Sequence, residues 1–419
     1  RRATAFSLAG LGVIACAGAA LGQTLPGVAD EPQLRDGVLV YPPGAAIPRN
    51  MTEVERRYWE QNPPFMPRTY DPPTGPVHCA AEYEPMQAIL LSWNGVPGWL
   101  TIVTQMANRI TRFGDAQAWV VVRDAATETS ARNQMTTGNV DMSKVRFFRR
   151  TLDTIWIRDY GPRYIFQGDC RAIVDHVYNR PRPNDDALPA WLGGQLRQPV
   201  YQLPLIHGGG NYHLDALDRS YATRLVVNEN PSLTEPEIIG EWRDFQSVET
   251  HLFDPFPTSV DSTQHLDMWV QVLGDHKVMV SDWPLNAGST QDVICDNAAV
   301  YYASQGYQVF RVPAFSLGGT HYTFTNTVIC NGIILIPGYT QSTVATYNAQ
   351  ALSTWQSAAP DRTVYQIPCQ SIVTSAGVMH CIAMHVPRPR GGEIPTAYVI
   401  GPDGGEHLAQ YKPRRSADF

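Results

Sequence analysis

A repeated order of elements, strand, strand, helix, strand, recurs along this chain at a long period and constrains its fold more than any other feature. From His265 to Val272 the residues alternate as in a strand, Gly274-Asp275-His276 turn, and Lys277 to Ser281 reads as a second strand. Gln291 to Ser304 then carries Val293, Ile294, Ala298 and Tyr301 at helical spacing, and Tyr307 to Val312 returns to strand. The order repeats at once. Thr323 to Cys330 reads as a strand, Asn331-Gly332 is a tight-hairpin signal, Ile333 to Ile336 is its partner, Thr343 to Gln356 is a helix and Val364 to Ile367 a strand. The turn glycines Gly274 and Gly332 lie 58 residues apart. One earlier copy runs from Arg163 to Leu205, with its helix near Ala187 to Leu196. A looser copy runs from His213 to Phe253, with Ala222 to Val227 expected as a strand. A fifth combines Met86 to Trp93, a helix from Trp99 to Phe113, Trp119 to Arg123 and Val145 to Arg149 with the strand expected to carry Cys381. Units that cannot bury an apolar face alone must stack on one another. The expected architecture is therefore α/β: about five strand-strand-helix-strand units around a pseudo-fivefold axis, a ring closed by its own termini.

Polar residues keep step with that repeat. Asp215 follows Asp159 by 56 residues, Asp267 follows Asp215 by 52, Asn326 follows by 59 more and Cys381 by 55 more. Each falls near the start of the first strand of its unit, so in a closed ring the side chains converge on the axis. Cys381 lies in the apolar run Val378 to His385, which alone favours an inert core thiol over a nucleophile. Its phase with the carboxylates favours the nucleophile. Such a set suits guanidinium chemistry: the cation stays protonated to a pKa above about 12, so it is held by carboxylates facing its planar fork. Asp159 and Asp267 suit that task. A thiolate from Cys381 can attack the central carbon. His265, two residues before Asp267 and expected on the same strand face, can help ionise the thiol and protonate the departing amine. Water would then release a ureido product.

Composition sets the limits. With 419 residues, 43% hydrophobic and 17% charged, the chain can bury a large core. A net charge of -7 argues against nucleic acid as the main partner and suits a cationic substrate. Residues 1–23 read as an export signal, in which Val13-Ile14-Ala15-Cys16 loosely fits a lipidation box that would anchor Cys16. Residues 24–78 read as a Pro-rich lead-in with one short helix around Thr52 to Gln61, residues 79–390 as the catalytic unit, and 391–419 as a tail. The expected location is secreted, periplasmic or cell envelope, without a stable membrane span. Cys79, Cys170, Cys295, Cys330, Cys369 and Cys381 show no framework spacing and no CxxC pair, which disfavours both a disulfide scaffold and structural zinc.

Trp156-Ile157-Arg158-Asp159-Tyr160-Gly161-Pro162, the Gly208-Gly209-Gly210-Asn211 loop, Gln264-His265-Leu266-Asp267, Tyr322 to Asn326 and Met379-His380-Cys381 together resemble the signature of guanidine-modifying enzymes with the pentein fold, an α/β propeller. Within that group the chain is similar, over roughly Ala80 to Pro389, to the bacterial Porphyromonas-type peptidylarginine deiminases and the agmatine deiminases. The resemblance implies Cys381 as nucleophile, His265 as acid and base, Asp159 and Asp267 as guanidinium ligands, Asn326 as support, and no catalytic metal or cofactor. Tyr178 to Asp185 resembles the segment with which the peptidyl enzymes grip the C-terminal carboxylate of an arginine-ended peptide, with Arg180 and Arg182 as the clamp. Trp156 is expected to stack on the guanidinium or sit in the core, and Asn211 with Asp215 to bind substrate from the Gly-rich loop. A metal cluster of His207, His213 and Asp215 is the competing reading of that loop. Ser375-Ala376-Gly377 stands where agmatine deiminases tend to carry a run of glycines, and the tail is short for an added immunoglobulin-like domain. The expected function is an exported deiminase of peptidyl, preferably C-terminal, arginine. The alternatives are an agmatine deiminase or a non-catalytic exported binding protein on the same scaffold.

Overall fold

The computed structural model describes residues 30–64, 66, 71–390, 398–400 and 406–408. The expected export signal, its Cys16, and most of the 391–419 tail lie outside the described residues. Five sheets of three or four strands, all in one mixed α/β body, share a single order: an antiparallel pair, then a strand parallel to the second member. A parallel partner cannot be reached by a tight turn and needs a crossover. Helices Pro97–Phe113, Leu188–Leu196, Glu235–Gln246, Thr290–Ser304 and Asn348–Ala358 supply the crossovers. In one sheet, strand Ala383–Pro387 pairs antiparallel with Met86–Ser92, so the last strand of the catalytic region is stitched to one of its first. Gln117–Val122 and Val145–Arg149 complete that sheet in parallel.

Departures from the sequence reading cluster where polar residues had to be buried. His265 to Asp267 is not a strand: Leu266–Met268 forms one 3₁₀ turn and the strand begins at Val270. Thr323 to Cys330 is likewise broken. Strand Thr320–Thr323 folds back on Gln308–Leu317 through Gly318 and Gly319, both at positive φ, and a new strand, Val328–Cys330, follows the buried Thr325-Asn326-Thr327. Cys381 lies in a 3₁₀ turn, His380–Ile382, directly before its strand. Side chains take the place of a ladder there: Asn326 Oδ1 accepts from His380 N, and Asn211 Oδ1 accepts from Leu266 N. The expected strand from Ala222 to Val227 stops at Thr223, whose hydroxyl accepts from Leu225 N and opens helix Leu225–Glu229. Helix Ala125–Thr137 was not expected. It buries only Ala131 and Met135, so it carries no apolar stripe, and Asp124 caps it.

The lead-in helix is real. Thr52 and Glu55 form a reciprocal capping box on Glu53–Gln61, satisfying two otherwise orphaned N–H groups. Among the described residues no helix is long and apolar enough to cross a membrane. All six described cysteines are free thiols.

Asn331 joins two sheets. At φ +50° in its hairpin, it accepts from Met86 N at 2.7 Å and donates to the carbonyls of Met86, Gly114 and Asp115. Asn331→Ala should lose about 2–4 kcal/mol in chemical denaturation, since it strands buried backbone groups and strains the turn. Asn331→Gly relieves only the strain and should recover about 1 kcal/mol of that. Equal stability of all three proteins would show that these bonds contribute nothing.

Candidate active site

Five short irregular segments, each just ahead of a strand, carry the polar centre. They are helix Ile157–Tyr160, the turns Gly209–Asn211, Leu266–Met268 and His380–Ile382, and the link at Asn326. Between two of their carboxylates lies an arginine from the lead-in, Arg49. Its Nε and Nη2 each donate to Asp159, both at 2.8 Å, and Nη1 and Nη2 each donate to Asp267 at 3.1 Å. Both edges of the guanidinium are therefore matched by bidentate carboxylates, the geometry that fixes a planar cation most specifically. Arg49, Asp159 and Asp267 are at most 1% exposed. His265 Nδ1 lies 2.7 Å from Arg49 Nη2 and 3.4 Å from Asp159 Oδ1. A guanidinium nitrogen can only donate, so toward Arg49 the Nδ1 atom stands as an acceptor, sharing the two Nη2 hydrogens with Asp159 and Asp267.

Cys381 completes the set. Its Sγ receives Asn326 Nδ2 at 3.2 Å and Val378 N at 3.4 Å, and faces Asp267 Oδ2 at 3.6 Å. A Cβ placed on Gly377 would fall 3.0 Å from both Cys381 Sγ and Arg49 Cδ, so the thiol and the arginine stem flank one narrow slot. Burial pushes the Cys381 thiol well up, the Arg49 guanidinium opposes that, and Asp267 and Asp159 add to it. A cation in the slot is thus the group that favours the thiolate. Burial also penalises the Asp159 charge, yet Arg49, assisted by His265, holds that carboxyl well below its usual range. Arg49 and His380 do the same for Asp267.

Behind the slot lies a buried charge network that sequence reasoning missed. His380 spans two carboxylates, with Nδ1 2.9 Å from Asp267 Oδ2 and Nε2 2.9 Å from Glu82 Oε1. Arg158 donates to Glu82 at 2.8 Å and to His385 Nδ1 at 2.7 Å, while His385 Nε2 donates to the Ile329 carbonyl. Arg158 and His380 sit inside the motifs already quoted, but Glu82 has no local mark. Glu82, His213 and His380 bring three ligand atoms within 4.8 Å of one another. Both nitrogens of His380 face carboxylates, Asp267 and Glu82, and His213 joins the group by stacking on the His380 ring, 5.0 Å between centroids. His207 is stacked on His176 instead, 4.0 Å between ring centroids, and does not join His213 and Asp215 in the metal cluster considered above.

Other expected site residues lie one step away. Trp156 is fully buried, donates from Nε1 to the Ile47 carbonyl at 2.9 Å and packs on Trp99. Asn211 accepts from Thr223 N and Leu266 N, pinning the His265–Asp267 turn to the neighbouring sheet. Asp215 is spent elsewhere, on Arg219 Nε at 2.8 Å, two turn N–H groups and the Tyr307 hydroxyl, because it caps the turn after its strand. Arg182 is fully buried against Glu55, Nε to Oε1 2.7 Å, so its charge is already matched rather than offered to a carboxylate terminus. Arg180 donates to the Asn179 carbonyl and, at 3.4 Å, to that of Arg49.

Residues 78–387 match the Porphyromonas-type peptidyl-arginine deiminase family. A curated agmatine deiminase of Pseudomonas aeruginosa is 24% identical over 371 residues, which is 74% of this chain and 95% of that protein. The fold is shared with an agmatine deiminase of C. jejuni solved with substrate bound, TM-score 0.65 at 13% identity, covering 75% of this chain and 97% of that one. It is shared too with an agmatine deiminase of Enterococcus faecalis, TM-score 0.65 at 17% identity, covering 76% and 100%. The chain belongs to the Porphyromonas-type peptidyl-arginine deiminase family of guanidine-modifying enzymes, whose fold is the pentein fold.

A Cβ on Gly210 would fall 2.0 Å from Arg49 Nη2, 2.7 Å from Asp159 Oδ1 and 2.8 Å from Asp267 Oδ2. Gly210→Ala should therefore close the guanidinium slot, lowering kcat/KM for any guanidine by about 100-fold or more, on the scale of misplaced substrate. Gly194→Ala, with open space around it in helix Leu188–Leu196, should keep full activity and gain about 0.5–1 kcal/mol in stability. Equal activity of both variants would remove the slot from the site. Burial holds His213 down to about 3. Its neutral form thus contributes stability fully present above the unfolded value of about 6.5 and lost as pH falls toward 3. Between about pH 7.5 and pH 5 the wild type should lose roughly 2 kcal/mol relative to His213→Asn in urea unfolding. A pH-independent difference would contradict this.

Proposed function

We propose that this chain hydrolyses the guanidinium of a small alkylguanidine of the agmatine type to a ureido group and ammonia. The observation that carries the reading is the Arg49 guanidinium, held on two edges by Asp159 and Asp267 beside a cysteine sulfur and an accepting histidine nitrogen. A guanidine bound in its place would present its central carbon to Cys381, whose thiolate is favoured by the arriving cation. A Cζ–S bond forms, the C–N bond to the nitrogen near His265 breaks, and the proton lost by the thiol leaves on that nitrogen as ammonia. Water then adds to the thiouronium carbon and the C–S bond breaks to leave the ureido C=O; of the two protons the water gives up, one restores the Cys381 thiol and the other leaves with ammonia as ammonium. Asn326 Nδ2 and Val378 N donate to the sulfur and suit its charged form at both ends of the cycle. The agmatine deiminases among the relatives support a small substrate.

Peptidyl arginine is the second reading, favoured by the fact that the occupant is itself an arginine with chain on both sides. A C-terminal carboxylate finds Arg182 already neutralised by Glu55, so the expected carboxylate clamp supports this reading less than the guanidinium site does. Five sheets of one order support a ring about a common axis, and the uncharged run from Ala3 to Ala29 supports export, which cell fractionation tests.

Ureido product and ammonia should both appear when the protein is incubated with agmatine, free arginine and arginyl peptides, with agmatine favoured. Cys381→Ser should lower turnover by at least about 1,000-fold, the scale on which a covalent nucleophile acts. Asp159→Asn should lower kcat/KM by roughly 30- to 1,000-fold, as expected for one partner of a buried charge pair. Unchanged turnover in Cys381→Ser would overturn the mechanism, and turnover of peptides but not of agmatine would overturn the small-substrate assignment.

A further inference from the structure

The lead-in makes far more contact with the site than one arginine. Trp156 Nε1 donates to the carbonyl of Ile47, and Arg182 Nη2 donates to those of Pro48, at 2.8 Å, and Asn50. Arg49 N donates to Ser375 O at 3.0 Å, and its carbonyl accepts from Arg180. Three residues after the capping Thr52, Glu55 reaches back to Arg182 in a second buried ion pair, and Tyr41 donates to Glu55 at 2.8 Å. Buried ion pairs at both Arg49 and Glu55 thus fix one strap, and the arginines that resembled a substrate clamp grip the strap's own backbone.

We infer that residues 46–61 are an intramolecular arginyl ligand of this chain: Arg49 fills the guanidinium slot at rest, and a free guanidine enters only when the strap lifts out. The inference rests on the deiminase reading above. It follows from charge as well as shape. With Arg49 gone, Asp159 and Asp267 face one another without their cation, so the slot is filled either by the strap or by a substrate of the same charge and fork. With Arg49 in place, neither Cys381 nor His265 has any exposure to solvent. The groove that holds the strap reads an arginine through its side chain and the carbonyls on either side of it, which is recognition of an arginine within a chain rather than at its end.

The full-length wild type, Arg49→Ala and Glu55→Gln are compared with agmatine as probe. Arg49→Ala should raise kcat/KM by about 10-fold or more, since a tethered ligand competes at an effective concentration in the millimolar range. Glu55→Gln keeps Arg49 but loosens its anchor, and should raise it by less. A synthetic peptide of residues 45–61 should inhibit Arg49→Ala, and the same peptide with Ala for Arg49 should not. Turnover by Arg49→Ala at or below the wild-type rate, with Glu55→Gln also unchanged, would overturn the strap while leaving the deiminase reading intact. Finding Arg49 in its ureido form in the purified protein would also overturn it, because a neutral side chain cannot balance the two carboxylates. Absence of guanidine turnover in all three proteins would instead overturn the deiminase reading on which the strap depends.

Discussion

Two buried carboxylates held within reach of one guanidinium form the interaction on which the site depends. Neither Asp159 nor Asp267 can keep its charge in that environment unaided: taking a carboxylate out of water costs several kcal/mol, and only a matched cation with well-directed donors offsets it. A guanidinium meets the requirement on two edges at once, whereas an ammonium would reach the same oxygens only as a point charge. In the proposed reaction the pair selects the substrate before it takes part in the chemistry. Burial chiefly holds the Cys381 thiol protonated, a guanidinium between the carboxylates opposes that, and the carboxylates themselves add to it.

The fold serves this arrangement through its irregularities. Regular strands and crossover helices bury the apolar mass, but every group that touches the guanidinium sits on a single turn of helix or a link just before a strand. Such a turn points its side chain inward along the strand direction, while the strand behind it holds the position. Asn211, Asn326 and His380 then tie neighbouring turns together: Asn211 holds the His265–Asp267 turn, Asn326 bridges Asp267 to the Cys381 turn, and His380 joins Asp267 to Glu82 and Arg158. A displacement of one turn is thereby felt at the others.

Much of this was legible in the sequence because it repeats. The strand-strand-helix-strand order, the Asn331-Gly332 hairpin and the phase of Asp159, Asp267, Asn326 and Cys381 all follow from periodicity and spacing, and the structure has those elements close to the expected positions. Asp215 obeyed the same spacing yet serves a turn and Tyr307, since phase places a residue near the centre without saying which way its side chain is spent. The 3₁₀ turns were misread as strands because alternation looks the same until a buried polar side chain interrupts the ladder. Glu82 and Arg49 left no trace at all. Their partners lie far away in sequence, and neither periodicity nor a local motif encodes a contact between a lead-in arginine and two turns more than a hundred residues downstream.

A chemical trap tests most directly whether this slot converts the guanidine it binds. Arg49→Ala, mixed with agmatine and acid-quenched within the first turnovers, is digested and mapped by mass spectrometry. The predicted result is an adduct on Cys381 equal in mass to the substrate cation less ammonia, absent from Cys381→Ser and from protein carrying Asp267→Asn. Ureido product forming at the normal rate with no adduct on Cys381, or an adduct on another of the cysteines, would contradict a mechanism in which the carboxylate pair delivers the guanidinium to that sulfur.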